Sequence, residues 1–151
     1  MKKITVRKGE ILQSLGDVNS YIYKIQKGVL RMYSMGTNGK EHILLFGSEG
    51  WTIGESNLPK TPCEFYIDAL EESELLVSNK DDSENDPTKE FFLHCIGMLQ
   101  KRVIMLMSVS AKDRYEDFIK TYPKIAQRIP QKMIASYLGI TPEALSKIKR
   151  S

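Results

Sequence analysis

The chain has 151 residues, 41% hydrophobic and 27% charged, which is enough apolar material for one ordinary core or a core with a small appendage and excludes disorder by composition. Two cysteines, Cys63 and Cys95, stand far apart and outside any C-x-x-C pair, which excludes a zinc site or an iron–sulfur cluster built on four thiolates. The net charge of +3 hides an asymmetry: from Lys112 onward nine Lys or Arg face four acids, whereas the rest of the chain carries thirteen against fifteen.

The first residues, Met1 to Glu10, lack the apolar run of a signal peptide, and Lys101 and Arg102 interrupt the longest apolar segment. The expectation is a soluble, cytoplasmic protein with no membrane partner. From Ile4 to about Ser78 the chain reads as short strands separated by turn chemistry, with alternation strongest over Tyr21 to Gln26 and Val29 to Met35. Asn38-Gly39 is the preferred pair for a tight hairpin and predicts a turn between the Val29 strand and His42 to Phe46. Further strands are expected at Glu64 to Leu70 and Glu74 to Ser78. Many short strands at this spacing predict a small antiparallel sandwich or barrel.

Lys80 to Pro87 is a polar break, in which Asp86-Pro87 supplies a cap and a first-turn proline for a long helix. Phe92, Ile96, Leu99, Val103 and Leu106 then step by four, three, four and three, a heptad seam suited to a second copy of the same helix. A parallel apolar line, Phe91, Cys95, Met98, Met105 and Val109, is broken only by Arg102. A helix simply buried in its own domain would show an equally wide apolar face. Ala111 to Tyr122 reads as a further helix with Tyr115, Phe118 and Ile119 on its apolar side.

The final stretch, Gln131 to Arg150, reads as two short helices broken by Gly139. Ile134, Leu138, Ile140, Leu145 and Ile148 supply a small core between them, and Ala135 stands where the helices pass close. Gly139 suits a left-handed helix end, Thr141 an N-cap and Pro142 the first helical position. This is the helix-turn-helix pattern with which many proteins place one helix in the DNA major groove. The exposed side of the second helix carries Thr141, Glu143, Ser146, Lys147 and Arg150, the candidate DNA-contacting residues. On a merely solvated helix, Glu143 and Lys147 would be a surface ion pair worth about 0.2–0.5 kcal/mol. The excess of basic residues falls at this end, where phosphate contacts would use it, although a solvated basic tail would look similar.

The order of parts resembles the Crp/Fnr family of bacterial transcription regulators. The carriers are Gly16-Asp17, Tyr23 to Gly28, Gly39 to Leu44, Gly50 to Glu55, Arg114-Tyr115 and the run from Ile129 to Arg150. The resemblance implies an α+β protein: an antiparallel β jelly-roll barrel of the cyclic-nucleotide-binding type over 1–86, a long dimerisation helix over 87–110 and a helix-turn-helix domain over 111–151. It also implies double-stranded DNA and RNA polymerase as partners, a homodimer, and an effector pocket near Gly54, Glu55, Lys60 and Thr61. Nucleotide-binding members follow the Gly-Glu pair with an arginine for the cyclic phosphate. Here Ser56 to Tyr66 contains none, and Lys60 is a poorer bidentate partner, so no cofactor is expected and cyclic AMP is argued against. At the base-reading places of well-known members stand Pro142, Glu143 and Lys147, so their half-site is not carried over; Glu143 suits cytosine N4 and Lys147 suits guanine.

An enzyme is not expected. His42 and His94 are the only histidines, too few for a metal-dependent barrel enzyme, and there is no G-x-S-x-G motif or Walker loop. The competing reading is a small-molecule sensor or protein-interaction module without productive DNA binding.

Overall fold

The computed structural model describes residues 1–18, 21–80 and 87–151. Eight strands come first: β1 (Lys2–Val6), β2 (Ile11–Gln13), β3 (Tyr21–Lys27), β4 (Leu30–Met35), β5 (Glu41–Gly47), β6 (Thr52–Ile53), β7 (Tyr66–Ala69) and β8 (Ser73–Asn79). Four helices follow: α1 (Pro87–Ser108), α2 (Ala111–Thr121), α3 (Gln131–Leu138) and α4 (Pro142–Arg150). The chain divides into two compact units, Met1–Leu93 and His94–Ser151. The expected cap at Asp86 lies outside the described residues.

The first unit is built on two four-stranded antiparallel sheets, ordered β1-β8-β3-β6 and β2-β7-β4-β5. Period-two patterning decides which side chains meet between them. Tyr23 and Ile25 from β3, Leu30 and Met32 from β4, and Ile67 and Ala69 from β7 join Val6, Ile53 and Leu75 in one buried cluster. The β4–β5 hairpin differs from the tight turn read at Asn38-Gly39. It closes over three residues, with Gly36 N–H on Lys40 O at 2.8 Å and Gly39 N–H on Gly36 O at 2.9 Å, and Gly39 takes φ 74°. That is the three-residue hairpin in which a turn is followed by one left-handed residue, so a single glycine suffices.

One charged residue is buried on β4. Arg31 binds both oxygens of Asp68 on β7 at 2.8 and 2.9 Å, pairs with Glu41 on β5, and lies 4.1 Å from the Tyr33 ring centre. Planar guanidinium geometry makes that bidentate pairing possible and knits three strands of one sheet together.

In the second unit, Phe118 and Tyr122 meet Tyr137 of α3 at ring separations of 5.4 and 5.6 Å. Ile125, Ile134, Leu138 and Leu145 close the core around them. The α2 start is fixed by a capping box, in which Ser110 accepts from Asp113 N–H and the Asp113 carboxylate accepts from Ser110 N–H. Among the described residues no helix is long and apolar enough to cross a membrane.

Candidate functional site

The α3–α4 pair is organised by its turn. Gly139 takes φ 67° and ψ 33°, its N–H reaches Ser136 O at 3.1 Å, and Ile140 N–H reaches Ala135 O at 3.0 Å. These are the two bonds of a Schellman ending, which satisfy carbonyls that the end of α3 would otherwise leave bare. Thr141 then caps α4 by accepting from Ala144 N–H at 3.2 Å, with Pro142 in the first turn. Ile134, Ala135, Leu138 and Leu145 are each at most 1% exposed, so both helices commit their apolar sides to one another and to α2.

The opposite side of α4 is open. Thr141, Glu143, Ser146, Lys147 and Arg150 are all exposed, together with Lys149 and Lys132. Lys149 donates to Gln131 Oε1 at 3.0 Å and so ties the end of α4 to the start of α3. The Arg150 Nε–H bonds Ser146 O at 3.2 Å, and the side chain is exposed. A short, capped helix with hydroxyl, carboxylate and cationic groups along one face, flanked by more lysines, can hydrogen-bond base edges and neutralise phosphates together.

Sequence reasoning noted Arg102 only as a break in an apolar line. Its guanidinium lies 3.7 Å from the Tyr137 ring centre and donates to Tyr137 O at 2.6 Å. A cation is thereby placed at the C-terminal end of α3, where the helix dipole favours it, just before Gly139. The break in the apolar pattern was the available signal.

Of the heptad residues, Phe92 is half-buried, whereas Ile96, Leu99, Val103 and Leu106 are 49, 41, 54 and 39% exposed. Leu93, Ile104 and Met107 are more exposed still, at 60, 64 and 82%, so the uncovered apolar face is wider than the five-residue seam and centred to one side of it. Leu106 stands at the edge nearest the α3–α4 turn, where its Cδ2 would lie 3.7 Å from a Cβ placed on Gly139.

The barrel residues read as an effector pocket stand in unlike surroundings. Gly54 is buried against β3, where a Cβ would sit 3.2 Å from Tyr21 O. Lys60 is exposed and takes φ 61°, while the Thr61 hydroxyl donates to Leu58 O at 2.5 Å. Glu55 is 3% exposed and points inward. Its carboxylate accepts from Gln13 Nε2 at 2.7 Å, from Glu64 N–H at 2.8 Å and from Phe65 N–H at 3.3 Å. Lys80, 6% exposed, donates to Glu55 O and to Asn57 Oδ1 and reaches Asn57 O at 3.5 Å. Gln13 and Lys80 escaped sequence reasoning because they lie 42 and 25 residues from Glu55 and carry no local signature.

Comparison with known proteins fits this geometry. The sequence profile described as "Cyclic nucleotide-binding domain" matches residues 3–89. The chain belongs to that family. It is 24% identical over 167 residues to an anaerobic regulatory protein of Haemophilus influenzae, an alignment covering 97% of this chain and 65% of that relative, so the chain spans just under two thirds of its length. FixK2 from Bradyrhizobium japonicum superposes with a TM-score of 0.83 at 19% identity, covering 99% of this chain and 82% of that one. A Crp/Fnr-family transcriptional regulator from Thermus thermophilus superposes at 0.79 with 14% identity, covering 97% and 83%. The fold is therefore that of the Crp/Fnr regulators, barrel and helix-turn-helix together.

The family's own ligand can be tested against the residues of this barrel. A cyclic nucleotide needs a carboxylate with accepting capacity for its ribose hydroxyl and a cation for its phosphate. Here the Glu55 carboxylate is engaged by three protein N–H groups, and the buried cation beside it, Lys80, is spent on three protein oxygens. The residues present do not fit the group.

Proposed function

We propose that this protein is a dimeric, sequence-specific DNA-binding transcriptional regulator, with the barrel as effector sensor or scaffold. The observation that carries the reading is the capped α4 helix, locked at its turn by Gly139 and presenting an uninterrupted polar and cationic face. In this reading α4 enters the major groove. Glu143 and Lys147 read base edges, Thr141 and Ser146 contact base edges or the sugar–phosphate backbone, and Arg150 pairs with phosphate. The names and folds of the relatives support the same assignment; on this reading the protein works in the cytoplasm on its DNA, with RNA polymerase as a further partner.

A single helix-turn-helix of this size covers little DNA. Two copies related by a two-fold axis would place their α4 helices about 34 Å apart, matching half-sites one helical turn apart. The exposed line Ile96, Leu99, Val103 and Leu106, with Phe92 at its head, is the surface on which such copies would pair.

The test is gel retardation of a pool of genomic fragments at fixed salt, with the native chain beside Lys147→Ala and Arg150→Ala. Arg150→Ala should weaken all complexes alike and lower the salt dependence by about one phosphate contact. Lys147→Ala should instead relax selectivity among fragments, at about 1–3 kcal/mol for a lost base contact. A native chain that retards no fragment even at low salt would leave the interaction-module reading in its place.

A further inference from the structure

We infer that the barrel is self-liganded: Gln13 and Lys80 take up, from within the chain, the hydrogen-bonding capacity at Glu55 that an effector's hydroxyl and phosphate would require, so the barrel reaches its working state with no cyclic nucleotide. The inference deepens the reading of the barrel given above by removing a cyclic nucleotide as its effector. It rests on the geometry of the barrel alone.

The β2–β7 ladder shifts register between Ile11 and Gln13, so that Ile11 pairs with Asp68 and Gln13 with Ile67. A bulge of this kind re-aims a side chain, and here it buries the Gln13 amide to 2% exposure. Both amide protons are committed, one to Glu55 Oε2 at 2.7 Å and the other to Phe65 O at 2.9 Å. The amide cannot turn over, because that would set its oxygen against the carboxylate. Among the described residues Gln13 Oε1 has no hydrogen-bond partner, so the arrangement holds although it leaves a buried acceptor bare. The two bonds span 42 and 52 residues and join β2 to the segment that leads into β7.

Lys80 completes the device. An ammonium has three protons, and three oxygens stand around it: Glu55 O, Asn57 Oδ1 and, at the long distance of 3.5 Å, Asn57 O. Its charge offsets the buried carboxylate, so the ion pair needs no outside counter-charge. A nucleotide would have to displace the Gln13 amide from Glu55 and the ammonium from its oxygens, leaving buried polar groups bare for each contact it made. Apart from Gln13 Oε1, the cluster's donors and its cation are matched from within the chain.

Two measurements on the full chain test this. In thermal melting with cyclic AMP or cyclic GMP at about 1 mM, the native protein should keep its midpoint. A dose-dependent rise with either nucleotide would overturn the inference, since a ligand that binds only the folded state must raise it. The second measurement is the melting of Gln13→Glu as a function of pH. The substitution places two carboxyl groups where an amide and a carboxylate now meet at 2.7 Å, and such a pair holds a shared proton. The pair's folded pKa is thereby raised, so the variant should match the native protein most closely near pH 5 and fall progressively below it as pH rises to about 8. A difference from the native protein that does not change with pH would mean that Gln13 does not face Glu55, and the inference would fail. Should the variant not fold, the nucleotide titration decides alone. Neither readout involves DNA, so loss of this inference would leave the DNA-binding proposal standing, and loss of that proposal would leave this one.

Discussion

At the scale of single residues, two glycines with positive φ answer different needs. At Gly28, φ 105°, an added Cβ would lie 2.1 Å from Ser73 Oγ and 2.7 Å from Ser73 Cα, so both backbone conformation and space demand glycine. At Gly139 the φ of 67° is equally left-handed, yet the nearest atom to a Cβ is a side-chain carbon at 3.7 Å. Gly28→Ala should therefore lose about 3 kcal/mol from strain and overpacking together, and Gly139→Ala about 1 kcal/mol from strain alone, both read from urea unfolding. Lys80 gives a pH signature. Burial holds its ammonium below the ordinary lysine value of 10.5, against the opposing pull of Glu55. Below that lowered value the folded and unfolded chains both carry the proton and the burial cost stands in full. As pH climbs from there to 10.5 the fold sheds the proton first, so the native chain should gain stability relative to Lys80→Met over that window. The buried Tyr23 phenol, which desolvation pushes above its usual range, is common to both proteins and cancels in the difference.

At the scale of elements, α1 carries two unlike faces. Met98 and Met105, with Val109 just past the helix end, flank a cavity shared with α2 and Tyr137, while Ile96, Val103 and Met107 are uncovered. Arg102 belongs to the first face and holds the end of α3 by one charged hydrogen bond and one ring contact. Arg102→Ala should destabilise the helical unit by about 2 kcal/mol, measured by chemical unfolding followed at the helical signal. Arg102→Lys should recover part of that loss, since an ammonium keeps the bond to Tyr137 O but not the planar stack. In the barrel the corresponding organising element is β4, where Arg31 ties β4 to β7 and β5 while Leu30 and Met32 face the core. Alternation along that strand was legible in the sequence; the partners of Arg31 were not, because they are set by strand register.

At the scale of the whole molecule, the proposed dimer would pair through the row of apolar side chains between about 40 and 80% exposed on α1. Val103→Asp places a charge at a position already 54% exposed, so the isolated chain should fold as before. The same charge at the centre of a paired seam would face its own copy. Analytical ultracentrifugation should therefore show a dimer for the native protein and a monomer for Val103→Asp, with helix content unchanged. An unchanged dimer would place the pairing surface elsewhere.

The parts of this protein that its sequence determined alone are those whose signals are local. Gly139, Thr141 and Pro142 mark the α3–α4 turn, Phe92 to Leu106 sets the helical period, and Tyr21 to Met35 alternates at the period of a strand; each depends on neighbours within a few positions. Tertiary structure alone decided what surrounds the buried Glu55. Gln13, Glu55 and Lys80 come from three separate stretches, and a one-residue register shift in β2 is what turns Gln13 inward toward Glu55. Hydrogen bonds of buried side chains are satisfied by whatever the fold brings near them, and no period or cap along the chain encodes that proximity.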